Sequence, residues 1–108
     1  MSILEQLRAK RNRPKYNLET IEGKFAHFHR LNPHVYSRLR QLALDLKGRG
    51  RNKYGIAGLF EVLRWEHAMT TTDDDFKLNN NYRAYYARLL MANEPELDDF
   101  FAIRVQKQ

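Results

Sequence analysis

Cysteine is absent from the 108 residues, which excludes disulfides and thiolate metal sites. A chain this short without such staples depends on one hydrophobic core, since a second independent core would be hard to build. Long apolar runs are also missing, and nothing approaches the ~18 residues of a membrane-crossing helix. The opening Met1-Ser-Ile-Leu-Glu-Gln-Leu-Arg8 lacks the basic-then-apolar order of a secretory signal. These absences lead to the expectation of a cytoplasmic chain with no membrane partner. Serine is nearly absent: a Ser/His/Asp triad has only Ser2 and Ser37 to draw on, and neither has a supporting setting. Proline (three) and glycine (five) are scarce enough that each one reads as punctuation.

Acidic residues are scarce in one half only. Through Lys53 there are 13 Lys/Arg against 4 Asp/Glu, a surplus of nine; from Tyr54 onward 6 face 9, a deficit of three. The whole chain carries +6. Clustered cations repel one another unless an anionic partner neutralises them, and a polyanion such as DNA or RNA does so through counterion release. The plainer alternative is a solubilising surface charge.

What is present is mostly helical pattern. Residues 1–16 read as a basic N-terminal arm, with a short amphipathic turn at Ile3, Leu4 and Leu7 that could support a homodimer. Pro14 interrupts any helix near Lys10, Arg11, Arg13 and Lys15, and these four cations are expected to track a phosphate run of a nucleic acid, on charge alone. Residues 17–108 read as one domain. Asn17 can cap a helix over about residues 18–30 with Ile21, Phe25 and Phe28 on one face. Asn32-Pro33 is a start signal, a capping side chain before a proline at the first helical position. Val35, Leu39, Leu42 and Leu46 form its stripe, and Gly48 suits the left-handed position that ends it. After a glycine-punctuated basic loop, Ile56, Leu59, Phe60 and Leu63 mark a third helix to about Met69. Asn79-Asn-Asn81 offers a further N-cap for a helix over about 81–92 carrying Tyr82, Tyr85, Tyr86, Leu89 and Leu90. Pro95 can open a last turn. Residues 76–79 and 101–105 alternate, which predicts a small two-stranded sheet. The expected fold class is therefore mainly α, a winged-helix or helix-turn-helix-like domain of four to five helices. The alternative is a plain helical bundle with frayed ends.

Three separated strings carry a resemblance. Phe25-x-x-Phe28-His29-x-x-Asn32-Pro33-x-Val35-Tyr36, Phe60-Glu-Val-Leu-Arg-Trp-Glu66, and Phe76-Lys-Leu-Asn-Asn-Asn-Tyr82 with Tyr86-Ala-Arg88 resemble a family of small uncharacterised bacteriophage and prophage proteins. The likeness covers about residues 20–105. It implies a phage context, hence the cytoplasm of a host cell, and that context includes both small DNA-binding regulators and small inhibitors of host proteins.

Two constellations point to nucleic acid. Lys47, Arg49, Arg51 and Lys53, spaced by Gly48 and Gly50, can wrap along a phosphate backbone, and the segment lacks the Walker A spacing of a nucleotide loop. Lys77, Asn79, Asn80, Asn81 and Arg83 stand at a helix start, where amides can read adenine edges; the competing account is capping and turn structure. Tyr82, Tyr85 and Tyr86 beside Arg88 could stack on unpaired bases, but their helical spacing with Leu89 and Leu90 favours core, with Arg88 as an ion-pair partner of Glu61 or Glu66. His27 and His29 do not face one another on a helix, and no zinc-protease motif occurs, so no metal or other cofactor is expected. Asp73-Asp-Asp75 lacks the EF-hand spacing and reads as acid ahead of a helix. The expectation is a phage-type DNA-binding (or RNA-binding) regulator or accessory protein with no enzymatic activity. Its rival is a module that inhibits or adapts a host protein without binding nucleic acid.

Overall fold

The computed structural model describes residues 17–72 and 77–102. The described residues are mainly helical, with four α-helices among them: α1 (Ile21–Leu31), α2 (Pro33–Gly48), α3 (Ile56–Thr70) and α4 (Arg83–Asn93). Two single 3-10 turns, Asn80–Tyr82 and Pro95–Leu97, open and follow α4.

Local chemistry sets most of these boundaries. α1 starts later than Asn17 because Thr20 is the cap, its Oγ1 accepting from the Gly23 amide at 3.0 Å. Asn17 folds back ahead of it, and a Cβ on Gly23 would lie 1.9 Å from the Asn17 carbonyl oxygen. Gly23, a poor helix former, is therefore required by close backbone approach. Asn32 does not cap α2 with its side chain; its Nδ2 donates to the Phe28 carbonyl at 3.0 Å and closes α1 instead, while Pro33 opens α2.

The stop signal of α2 also moves. Gly48 stays helical, and Gly50 takes the left-handed conformation at φ 93°. The Gly50 amide donates to Lys47 O at 3.0 Å and the Arg51 amide to Leu46 O at 3.0 Å, the paired bonds of a Schellman ending. Each further helical residue adds a backbone bond, and a second glycine two residues on still supplies the stop.

Val35, Leu39 and Ala43 of α2 meet Leu59, Phe60 and Leu63 of α3, with Tyr86, Ala87 and Leu90 of α4 between them. Leu97, Phe100 and Phe101 close the far side. Each fully enclosed large side chain among these contributes about 1.5–3 kcal/mol of burial. α1 buries no residue completely and lies against this core through Ile21, Phe25 and Phe28.

The predicted pairing of 76–79 with 101–105 is not formed by the parts of it that are described. Among the described residues the strand-like contact is an isolated parallel bridge between Tyr54 and Phe101, with the Tyr54 amide donating to Phe100 O at 3.1 Å. The reason lies at residues 99–101. Asp99 turns left-handed at φ 60°, and Phe100 and Phe101 are both buried, which the alternation of a strand does not allow. The described residues thus hold a helical assembly without the two-stranded sheet.

Candidate nucleic-acid interface

The loop from Arg49 to Gly55 joins α2 to α3, and both its ends are held. The Schellman turn fixes its entry, and the Tyr54–Phe100 bond fixes its exit. The Tyr54 ring lies over Gly58, where an added Cβ would come within 3.0 Å of it. Between these anchors Arg49, Arg51, Asn52 and Lys53 are exposed, and Lys47 is half-buried in the last turn of α2.

Lys53 shares its charge with the exposed Asp99 at 3.4 Å. Neither Arg49 nor Arg51 pairs with a carboxylate of the described residues. The other arginines of α2 and α3 are differently placed. Arg38 grips Glu66 with a two-pronged contact, Nε to Oε1 at 2.9 Å and Nη2 to Oε2 at 2.5 Å. That contact holds the Glu66 carboxyl below its usual range. Arg40 Nε meets Glu94 Oε1 at 2.9 Å while Tyr36 donates to Glu94 Oε2 at 3.0 Å, and these two lower the Glu94 pKa in the same way. Arg64 joins Glu61 to Asn80 Oδ1 and to the Leu78 carbonyl, the last at 2.6 Å.

Arg64 decides the fate of the asparagine run. Asn79 Oδ1 accepts from the Asn81 amide at 2.8 Å and caps the turn into α4. Asn80 is held by Arg64, and the Asn80 carbonyl accepts from Arg83 Nε at 3.1 Å. Asn79, Asn80 and Arg83 are thus engaged within the fold, whereas the exposed side chains of Asn81 and Lys77 face outward. Arg64 lies nine residues beyond Gly55, about 14 Å along α3, so the asparagine turn and the basic loop are separate patches. Lys10, Arg11, Arg13 and Lys15 lie outside the described residues, as does Asp73-Asp-Asp75.

The aromatic residues are core, as their spacing predicts. Tyr82 and Tyr86 are buried, and Tyr85 stacks on Phe25 at 5.1 Å between centroids. Arg88 does not reach Glu61 or Glu66, which Arg64 and Arg38 occupy; it lies 5.8 Å over the Tyr85 ring. His29 stacks on Phe25 and meets Tyr36 and Tyr86 edge-on, its Nδ1 3.5 Å from the Tyr86 hydroxyl. Burial lowers the His29 pKa and raises that of Tyr86. Among the described residues no three His, Asp or Glu side chains are grouped to hold a metal, and no helix is long and apolar enough to cross a membrane.

One surface was missed by reading the sequence for charge. Val62, Trp65 and Met69 lie on the outward face of α3, with Trp65 and Met69 65% and 66% exposed. The signal was available: once Leu59, Phe60 and Leu63 face inward, positions 62, 65 and 69 must face out. Trp65 and Met69 border a groove of about 420 Å³ that His34 and Arg38 of α2 close on the other side. No protein-family model, curated protein or solved structure matches this chain.

Proposed function

We propose that this chain is a nucleic-acid-binding protein of the phage-associated kind, a DNA-binding regulator or accessory factor on a helix-turn-helix-like scaffold. The observation that carries the reading is the state of Arg49 and Arg51. Both are exposed on a loop anchored at each end, without a carboxylate partner among the described residues. A guanidinium in that state keeps its full charge and its fork of donors for a phosphate. Lys53, shared with Asp99, supports the same contact less strongly, and Lys47 flanks it. Base reading falls to Asn81 and Lys77, since Asn79 and Asn80 serve the fold.

A salt series of duplex binding tests this. Log affinity should fall linearly with log salt, each lost phosphate contact lowering the slope by about 0.9. Arg49→Ala/Arg51→Ala should therefore lower the slope by roughly 2 and weaken binding to all duplexes alike. An unchanged slope would remove the loop from the interface. Absence of binding to both duplex and single strand at low salt would overturn the reading itself.

A further inference from the structure

Among the described residues two aromatic side chains are largely exposed, Tyr54 and Trp65, and their neighbours differ. Trp65 lies between Arg64 and Glu66, both of which are tied inside the fold. Tyr54 comes three residues after Arg51 and five after Arg49, the two guanidiniums without a carboxylate partner among the described residues. Three residues span at most about 10 Å, so a nucleotide seated at Tyr54 has its own or a neighbouring phosphate within reach of Arg51.

Tyr54 is also held in place. Its amide donates to Phe100 O at 3.1 Å and it bridges Phe101, so its backbone is pinned to two buried residues. The ring meets Gly58 by its rim. From the point where a Cβ on Gly58 would stand, Tyr54 Cε2 is 3.0 Å away, the hydroxyl oxygen 3.4 Å and Cζ 3.6 Å. Cζ is bonded to both of the other atoms yet lies farther than either, which sets Gly58 beside the ring edge and not above a face. Gly58 therefore steadies the ring without covering it. No ring of the described residues stacks on Tyr54, which is 43% exposed. Gly55 widens the opening: a Cβ added there would meet no described atom within 4 Å.

We propose that Tyr54 is a stacking platform for an unpaired base, so that the loop grips single-stranded nucleic acid, with Arg49 and Arg51 on neighbouring phosphates. This rests on the nucleic-acid reading of the same loop and narrows its ligand to a strand with exposed bases. Stacking needs the π-face of a base, which a closed duplex offers only at its ends. Every base has such a face, so the contact selects an unpaired strand without selecting a sequence. Lys53 offsets the Asp99 carboxylate set against the loop, which lessens its repulsion of the strand.

Three probes separate stacking from charge: an oligothymidylate of about 12 nucleotides, the same strand paired with its complement, and an abasic strand with the same phosphates. By fluorescence anisotropy the full chain should hold the oligothymidylate more tightly than the other two. Tyr54→Leu keeps a side chain against Gly58 but has no π-face. It should weaken the oligothymidylate about 5- to 150-fold and leave the other two probes unchanged. Its salt slope should match wild type, because a stacked ring displaces no counterions, whereas Arg49→Ala/Arg51→Ala should lower the single-strand slope by about 1.4. Tyr54→Phe should bind as wild type does. Irradiation of wild type on a bromodeoxyuridine-substituted strand should join the strand to Tyr54, a readout that needs no variant to fold. Equal affinity of Tyr54→Leu and wild type for the oligothymidylate would overturn the proposal, as would adducts confined to other residues. Equal losses by Tyr54→Leu on all three probes would do the same, marking Tyr54 as a support of the loop. A duplex held as tightly as the single strand would overturn this inference and leave the nucleic-acid reading standing. Binding to none of the three at low salt would overturn that reading itself.

Discussion

The arginines of α2 and α3 and those of the loop between them have the same side chain and opposite fates. Arg38, Arg40 and Arg64 each hold a carboxylate. The first two thereby tie α2 to α3 and α2 to the end of α4, while Arg64, paired with Glu61 inside α3, ties that helix to the asparagine turn through Asn80 Oδ1 and the Leu78 carbonyl. Arg49 and Arg51 hold none among the described residues. A charge inside a network is spent on shape, since its Coulomb gain is set against the desolvation and ordering of both partners. A charge left in water keeps its reach for an external anion. Among the described residues, part of the basic surplus is thus taken up inside the fold, and under the proposed reading the loop arginines belong to the part that is not.

The comparison can be attacked first from the core that positions both sets. Phe60→Ala should lose about 3–5 kcal/mol, because Phe60 is fully enclosed between the helices and its ring is met edge-on by Tyr86. Chemical denaturation should then show little cooperative folding, and duplex binding should fall with it. Binding that survived in an unfolded Phe60→Ala chain would mean that charge alone, without the anchored loop, makes the contact.

Gly23→Ala should come next, at about 1–3 kcal/mol destabilising, although alanine is the better helix former. The Asn17 carbonyl cannot make room without uncapping α1. A midpoint equal to wild type would show that the fold-back ahead of α1 contributes nothing.

Acid should act on the tied half alone. The folded-state pKa of His29 lies below the free value of 6.5, so the unfolded chain takes the proton first. Stability should therefore fall as pH drops below about 6.5 and level off below the folded value. Glu66 and Glu94 titrate lower in the folded state, so their contribution is present at neutral pH and lost as pH falls through their folded values. His29→Phe, which retains the stack on Phe25, should flatten the first decline and leave the second. An identical curve in the variant would assign the decline between pH 7 and 5 to another group.

The smallest expected effect sharpens the contrast most. Arg49→Ala/Arg51→Ala should change stability by no more than about 0.5 kcal/mol, while Arg38→Ala, which strands Glu66, should cost more. Both are read from the same denaturant titration. Equal losses would mean that the loop arginines are structural after all.

Much of the fold is legible along the chain because its signals are local. Pro33, the apolar stripes of α2 and α3, the stop before Pro95 and the burial of Tyr82 and Tyr86 follow from spacing and backbone chemistry within a turn or two. The candidate site is only half legible. Charge and glycine mark the loop, but nothing local says that Lys53 will meet Asp99, or that Arg64 will take Asn80 out of reach of a ligand. Trp65 was overlooked for a different reason: its position follows from the helical period, yet an apolar residue draws notice on a surface only after the core has been assigned.

Residue order alone set the helices, the inward faces, the division of charge and the choice of glycine as the stop after α2. Tertiary packing chose among chemically equivalent candidates: Gly50 over Gly48, Arg64 over Arg88 for Glu61, Tyr54 over residues 77–79 as the neighbour of Phe101. Local propensity ranks conformations of a few consecutive residues and leaves distant partners degenerate. That degeneracy is removed when α4 is enclosed between α2 and α3, because buried faces admit few arrangements and each brings its own polar neighbours together. The same packing brought a carboxylate to Arg38, Arg40 and Arg64 and set Asp99 beside Lys53, while among the described residues it brought none to Arg49 or Arg51.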